Sequence, residues 1–279
     1  MNKILAASAA LLLANLTITP QAMAAEKAEK AEKKSEFIFG IGLLAASIPH
    51  YAGAEESTNV VTPFPYFYYK SDDLTIDRNA FAKDLWRTES LELTLTGAGS
   101  IGVDSDDNEA RTDMPDLGWV GAIGPTLNWY AKKDQSVFVQ FATRKAFAFD
   151  SGLDSIGWQA ETSVNWRSKP IGESWGKSWA GKGTMRLSLK AQLSFADSKY
   201  NDYLYGVDTA YATTGRAAYN ASGGYSGAQL SMGLSFKSDD YWAGAFTRYN
   251  NVSGVTFDDS PLVINEHNLS FGLAFAWLL

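Results

Sequence analysis

The sequence predicts a single-domain, all-β protein: an antiparallel, up-and-down transmembrane β-barrel of about twelve strands, with ten to fourteen possible. Three observations predict it. The chain begins with an export signal, its segments of roughly ten residues alternate apolar with polar side chains, and no mature segment is apolar enough for a transmembrane helix. Barrels of this kind lie in the outer membrane of Gram-negative bacteria, so we expect that location.

The N-terminus has the three parts of a cleavable signal peptide. Residues 1–3 are short and positive, residues 4–18 are apolar, and residues 22–24 read Ala-Met-Ala, a typical cleavage site. The charged stretch that follows has no apolar face to bury, which predicts a solvated segment. We therefore expect a signal peptide at 1–24, a charged periplasmic tail at 25–36 and the outer-membrane β-barrel at 37–279.

The alternation is clearest in residues 184–196. The odd-numbered residues from Met185 to Phe195 are apolar, and the even-numbered ones from Arg186 to Ser194 are charged or polar. Successive side chains of a strand point to opposite sides, so one face suits lipid and the other a wet lumen. Segments with the same pattern are 90–100, 157–167, 228–236 and 269–279.

Two further features separate this barrel from a soluble β-sandwich. Charged residues occupy the predicted inner face, whereas the inner face of a sandwich must be dry. Tryptophans also stand at the ends of the apolar face, as expected for the aromatic girdles of a membrane barrel. These tryptophans are Trp119, Trp129, Trp158, Trp166 and Trp277.

The topology follows from the requirement that both chain ends lie on the periplasmic side, which makes the number of strands even. Residues 238–240 then form a short periplasmic turn, and residues 168–183 an unusually long one. An even count also requires residues 74–86 to split into two short strands near Asn79 and Ala80. The long outer loops are residues 104–118, 198–224 and 253–266.

Composition excludes several classes of function. The formal net charge of −7 becomes −8 when Lys3 leaves with the signal peptide, and an acidic protein is poorly suited to nucleic acid. The chain has no cysteine, which excludes disulfides, thiolate zinc sites and cysteine nucleophiles. With no phosphate-binding or dinucleotide motif either, we expect no cofactor and no nucleic-acid partner.

Several motifs resemble the MipA/OmpV family of MltA-interacting outer-membrane proteins. Gly40-Ile41-Gly42 and the proline and tyrosine pattern of residues 49–69 resemble the family's opening. Residues 202–207, with the glycines and tyrosine of residues 215–227, resemble its most distinctive region. Residues 258–263 resemble the Ser-Pro motif before the last strand. One departure is the C-terminal residue, Leu279, where such barrels usually end in an aromatic residue.

The resemblance implies a non-enzymatic scaffold or anchor for periplasmic murein (peptidoglycan) enzymes. The expected partners are a periplasmic lytic transglycosylase and a penicillin-binding protein, besides outer-membrane lipid and lipopolysaccharide. The family has no agreed catalytic motif, so we expect no enzyme activity and assign no catalytic residue.

The alternative function is a small porin-like channel for polar solutes. A salt bridge from Glu161 to Arg186 or Lys190 on the neighbouring strand would close the lumen and favour the scaffold instead. The residues predicted to line the lumen are Glu161, Asn165, Arg167, Arg186, Lys190 and Gln192.

The long turn at 168–183 is the candidate contact for a periplasmic partner. Tryptophan is a frequent anchor of protein interfaces, and the lysines add positive charge. The competing interpretation places these tryptophans in the interfacial belt of the membrane. The candidate contact residues are Lys169, Trp175, Lys177, Trp179 and Lys182.

Two other features resemble metal or catalytic sites. The topology predicts that His50 and His267 both lie at the outer rim, where the first and last strands pair. A metal bound by the two histidines is conceivable, but two unlinked histidines are the favoured interpretation. Residues 104–109 resemble the start of a calcium loop but lack its later glycine and glutamate. We therefore expect no metal site and a solvated acidic loop.

Overall fold

The computed structural model describes residues 35–71, 74–76, 81–149, 152–171 and 183–279. The predicted signal peptide and the predicted tail as far as Lys34 lie outside these residues. The described chain is mostly strand, with one α-helix, α1 (Ser198–Tyr205), and 3-10 turns at Ser105–Asp107, Glu109–Arg111 and Thr209–Tyr211. The strands are β1 (Glu36–Pro49), β2 (Ser57–Lys70), β3 (Leu74–Ile76), β4 (Phe81–Arg87), β5 (Leu91–Ser100), β6 (Trp119–Tyr130), β7 (Val137–Phe149), β8 (Asp154–Arg167), β9 (Gly183–Ala196), β10 (Gly224–Ser238), β11 (Tyr241–Asn251) and β12 (His267–Leu278).

The twelve strands close into one barrel. Each strand pairs antiparallel with its neighbour in the chain, and β1 pairs with β12 along eight residues. The predicted fold class is therefore confirmed, and so is the split of residues 74–86 into two short strands, β3 and β4. Closure leaves no sheet edge, so the backbone hydrogen bonds of every strand can be made within the barrel. Among the described residues, no helix has both the length and the apolar character needed to cross a bilayer.

The two ends of the barrel carry connections of different length. The end where β1 begins and β12 ends, called the terminal end, has the two-residue turn 239–240 between β10 and β11. The opposite end, called the loop end, carries residues 101–118, 197–223 and 252–266. The predicted outer loops thus share one end, and the predicted long turn after β8 lies at the terminal end.

The outer surface of the barrel is apolar. Along β12, Leu269, Phe271 and Leu273 are 57%, 55% and 65% exposed, whereas the intervening Ser270 and Gly272 are buried. An exposed apolar surface of this extent matches hydrocarbon and not water. The chain is a membrane β-barrel. The tryptophans predicted for the two girdles stand at both ends of the outer surface, with Trp119 and Trp158 at the loop end and Trp129, Trp166 and Trp277 at the terminal end.

One side of the barrel interior is filled by large apolar side chains. Leu44, Phe64, Tyr66, Tyr68 and Trp242 project inward from β1, β2 and β11 and form one buried cluster. The Tyr66 and Trp242 rings lie 5.7 Å apart. We expected a polar inner face throughout, and on this side that expectation was wrong. β2 carries apolar residues on both faces, so alternation could not show which set points inward.

The opposite side of the interior is polar and hydrogen-bonded. The carboxylate of Glu92 on β5 is fully buried and accepts hydrogen bonds from Asn128 (3.0 Å), from the Tyr130 hydroxyl (2.6 Å) and from Arg87. The Gln140 amide donates in turn to Asn128 (2.9 Å). A buried carboxylate needs such donors, because an uncompensated charge inside the barrel is costly.

We predict that Glu92→Gln destabilises the barrel by about 3 kcal/mol. Both carboxylate oxygens face donors, so either orientation of the glutamine amide turns an NH2 group toward another donor. Urea unfolding in lipid vesicles, followed by tryptophan fluorescence, measures the change. The exposed Glu89→Gln is the matched control and should change stability by less than about 0.5 kcal/mol. Equal stability of the two variants would contradict this role of Glu92.

Candidate functional site

The long segments at the loop end fold together over the mouth of the barrel. Residues 50–56, 101–118, 197–223 and 252–266 are called the cap. They arise from different sides of the barrel yet share one buried apolar cluster, so they cross the opening. The buried members of the cluster are Tyr51, Ala54, Val103, Leu117, Tyr205, Val207, Ala221, Val252, Val255, Phe257 and Leu262.

Aromatic stacking and hydrogen bonds to backbone carbonyls join three of the four cap segments at the centre of this cluster. Tyr205 stacks on Phe257 with 3.8 Å between ring centroids, and Ser260 donates to the Tyr205 carbonyl (2.7 Å). The Tyr51 hydroxyl donates to the Leu262 carbonyl (2.9 Å). Burial raises the pKa of Tyr51 to about 12, so its hydroxyl stays protonated as a donor at neutral pH.

Two arginines hold the second and third cap segments together. Arg111 donates to the Leu204 carbonyl (3.2 Å) at the end of α1. Arg216 donates from one nitrogen to the carbonyls of Ala110 (3.0 Å) and Thr112 (2.9 Å). Hydrogen bonds from a charged donor to carbonyls are stronger than neutral ones, so these contacts fix the two segments to each other.

Helix α1 is held above β8 by a short set of contacts. The Asp197 carboxylate caps the helix by accepting from the Tyr200 amide (2.8 Å), and it also accepts from the Trp158 amide of β8 (3.0 Å). Beneath it, Gly157 has a φ of +127°, and a Cβ at that position would meet the Tyr200 backbone. Glycine is thus required for the close approach of helix and strand.

His50 links the first two cap segments. Its Nδ1 lies 3.2 Å from the Asn108 amide nitrogen, which also donates to the Glu56 carboxylate (2.8 Å). Burial lowers the pKa of His50, and the charges of Glu56 and Asp107 oppose this shift without reversing it. The neutral imidazole is therefore favoured, with Nδ1 free to accept from the amide.

The predicted lumen residues lie on the inner face, but most of them are buried against other side chains. Asn165 donates to Ser163 (2.9 Å). Gln192 donates to Ser194 (3.0 Å). Arg167 lies over the Phe138 ring, 4.7 Å from its centroid. These contacts pack the polar side of the interior with side chains instead of leaving it as an open wall.

Four charged residues, one each from β7, β8, β9 and β11, form a cluster on the inner face. Glu161 pairs with Arg144 of β7 (3.1 Å), and Lys190 and Arg248 act on it electrostatically. The hypothetical pair with Arg186 does not form, because the register of β8 on β9 sets Glu161 opposite Ser194 and leaves half-buried Arg186 toward the terminal end. Arg144 and Arg248 were not singled out in the sequence, and Arg248 shares the inward face of β11 with the apolar Trp242.

Between this charged cluster and the cap lies a cavity of about 270 Å³. Polar side chains of β8, β10, β11 and β12 line its wall, and α1 and the first cap segment cover it. The polar residues of the lining include Gln159, Tyr200, Gln229, Arg248, Asn250 and Ser270.

At the terminal end, the predicted partner segment is described only at its base. Lys169 is exposed, and it interacts electrostatically with Asp134 in the turn between β6 and β7. Ile171 pairs with Met185 through two backbone hydrogen bonds (2.8 and 2.9 Å), so the chain just after β8 stays paired with the first residues of β9. The other predicted contact residues, Trp175, Lys177, Trp179 and Lys182, lie outside the described residues.

The acidic loop and the two histidines have local structural roles. The Asp104 carboxylate accepts from the Asp106 amide (3.0 Å) and caps a 3-10 turn. The Nδ1 of His267 lies 2.7 Å from the Tyr249 hydroxyl, whereas the Nδ1 of His50 lies 3.2 Å from the Asn108 amide nitrogen. In the described part of the chain, no group of three or more His, Cys, Asp or Glu residues could hold a metal ion.

The cap is the feature that sequence reasoning missed. The loops were predicted as loops, yet nothing in their alternation or length indicated that they pack on each other. One signal was available: residues 202–207 and 258–263 carry the motifs that resemble the family, and they contact each other through Ser260 and Tyr205.

Comparison with known proteins gives one family. Residues 41–279 match the family described as MltA-interacting protein MipA. Among curated proteins, none is significantly similar to the chain in sequence.

Solved structures with a similar fold have little sequence in common with the chain. A Pseudomonas aeruginosa FadL homologue is 9% identical, with a TM-score of 0.31 and coverage of 89% of this chain and 90% of that one. The transport unit of the autotransporter AIDA-I from Escherichia coli is 11% identical, with a TM-score of 0.29 and coverage of 98% and 99%.

We predict that Arg216→Ala loosens the cap, because it removes two of the hydrogen bonds that join residues 197–223 to residues 101–118. Cleavage of the folded barrel by proteinase K should become at least about tenfold faster in these two segments, since proteolysis follows the population of the open form. Lys199→Ala, an exposed change on α1, is the control and should be cleaved at the unaltered rate. Equal rates for the two variants would show that Arg216 does not hold the cap.

We predict that acidification loosens the cap through His50. Its pKa is lowered in the folded state, so its contribution to stability is complete above about pH 6.5 and is lost as the pH falls through the folded value. Proteinase K cleavage of residues 101–118 should therefore increase more between pH 7.5 and 5.5 in the unaltered chain than in His50→Gln. His267→Gln should behave like the unaltered chain, and an identical response of all three would exclude His50.

Proposed function

The chain belongs to the MipA family of MltA-interacting proteins, and we propose on this premise that it is a non-enzymatic outer-membrane anchor for a periplasmic lytic transglycosylase. The name of the family states the interaction with MltA, a murein transglycosylase. A penicillin-binding protein is the second proposed partner, by the same resemblance. In this orientation the terminal end faces the periplasm, the loop end faces outward, and the apolar surface contacts lipid and lipopolysaccharide.

The observation that carries the proposal is the filled interior. The cap covers the loop end, and the cluster around Phe64, Tyr66 and Trp242 occupies one side of the interior. The ion pair of Arg144 with Glu161 adds a bridge across neighbouring strands on the polar side. A barrel closed in this way offers its ends, and not a channel, as the surfaces on which it can act.

The terminal end offers the surface for a periplasmic partner. The base of residues 168–182 pairs with the first residues of β9 through Ile171 and carries the exposed Lys169. Residues 172–182 add two tryptophans and two lysines to it. Aromatic anchors surrounded by positive charge suit an interface with a periplasmic protein.

The alternative proposal is a porin-like channel, favoured by the polar half of the inner face and by the cavity under the cap. As a channel, the barrel would have to open the cap and also move the aromatic cluster. Both are buried and well packed, so the anchor is the better-supported function.

We predict that Trp175→Ala with Trp179→Ala weakens binding of the purified lytic transglycosylase at least about tenfold, because the aromatic anchors of an interface carry most of its energy. Biolayer interferometry with the full barrel in lipid nanodiscs measures the affinity. Tyr211→Ala, an aromatic deletion at the loop end, is the control and should leave affinity unchanged. Unchanged affinity of the double variant would exclude this segment, and no binding by the unaltered chain would exclude the anchor.

We also predict that the barrel is electrically silent in planar bilayers, because the cap covers the loop end and the aromatic cluster occupies one side of the interior. A general porin inserted under the same conditions serves as the positive control. Steady conductance, with an ion selectivity that changes in Lys190→Glu or Arg186→Glu, would instead support the channel.

A further inference from the structure

We propose that the cavity under the cap is a binding site for a small hydroxylated carboxylate of monosaccharide size, held by Arg248 and Ser270. This site goes beyond the anchoring function, since it lies inside the barrel and away from the terminal end. It would let the loop end respond to a solute.

Two buried polar groups in the cavity wall lack partners. Arg248 of β11 and Ser270 of β12 are directly opposite each other in the register and both line the cavity. Within the described part of the chain, the Arg248 Nε and the Ser270 hydroxyl have no hydrogen-bond partner, and Ser270 is only 1% exposed. Buried polar groups are normally hydrogen-bonded, so an unpaired neighbouring pair indicates a place for a polar ligand.

The charge around the cavity favours an anion. Arg144, Lys190 and Arg248 form a cluster on the inner face with the acid Glu161, and these four groups act on one another electrostatically. Glu161 is already paired with Arg144 at 3.1 Å. Arg248 therefore presents the guanidinium that a ligand can neutralise, and one guanidinium suits one carboxylate, which it binds through two parallel hydrogen bonds.

The other polar residues of the lining suit hydroxyl groups. Gln159 and Asn250 supply amides to the wall, and Tyr200 supplies a phenol, which burial keeps neutral by raising its pKa to about 12. A volume of about 270 Å³ equals roughly nine waters at about 30 Å³ each, which is enough for one sugar-sized molecule. A sugar acid combines the carboxylate for Arg248 with hydroxyls for the amides.

The experiment compares sodium D-glucuronate with D-glucose, which differ in the carboxylate. The full chain is refolded into detergent micelles in the presence of each probe, so that a closed cap does not prevent entry, and equilibrium affinity is measured by calorimetry. Arg248→Gln tests the guanidinium, and Arg186→Gln is the matched control with the same loss of charge on the same inner face. Ser270→Ala tests the hydroxyl without a change of charge.

We expect glucuronate to bind at least about tenfold more tightly than glucose, and Arg248→Gln to remove most of that preference. Ser270→Ala should weaken the binding of glucuronate by roughly fivefold, and Arg186→Gln should weaken it by less than about twofold. No glucuronate binding by the folded, unaltered chain would overturn the proposal, as would equal affinity for the two sugars or equal losses in the two arginine variants. Electrophoretic mobility before and after heating shows whether Arg248→Gln folds. If it does not fold, the comparison of the two probes and the Ser270→Ala variant still test the proposal.

Discussion

The structure depends on one constraint: a chain that crosses hydrocarbon as strands must pair every strand with two others. The seam between β1 and β12 meets this requirement by closing the sheet. Closure then divides every strand into an outward and an inward set of side chains. The outward set must be apolar, so all chemical variety is confined to the interior and the two ends.

Apolar and polar side chains occupy different sides of the interior. On one side, β1, β2, β11 and β12 point apolar and aromatic residues inward, and their packing resembles the core of a soluble protein. On the other side, buried charges such as Glu92 are surrounded by donors from neighbouring strands. The two halves are complementary, since the apolar half excludes water and thereby makes every polar contact in the other half stronger.

The ends have different roles. At the loop end, segments from separate hairpins share an apolar cluster and hydrogen bonds, so that the cap behaves as part of the fold and not as a set of free loops. At the terminal end, the chain just after β8 pairs with the start of β9 through Ile171 and Met185.

Strands with one polar face were predictable in detail. In β9, Lys190 and Gln192 alternate with Leu189 and Leu193, and their orientation could be read directly from the sequence. β2 could not be read in this way, because its inward Phe64 and Tyr66 are as apolar as its outward neighbours. The ion pairs could not be predicted from the sequence either, because the partner of Glu161 depends on the stagger between strands and not on the spacing within one strand.

The sequence by itself determined the barrel, an even strand number near twelve and the end at which the long loops lie, because the period of two and the even strand count are local or counting properties. Only the tertiary structure decided that large apolar side chains occupy one side of the interior, that the loops pack together as a cap, and that Arg248 and Ser270 lie side by side in a cavity wall. These features join residues that are far apart in the chain. Their contacts follow from register and closure, which no local pattern encodes.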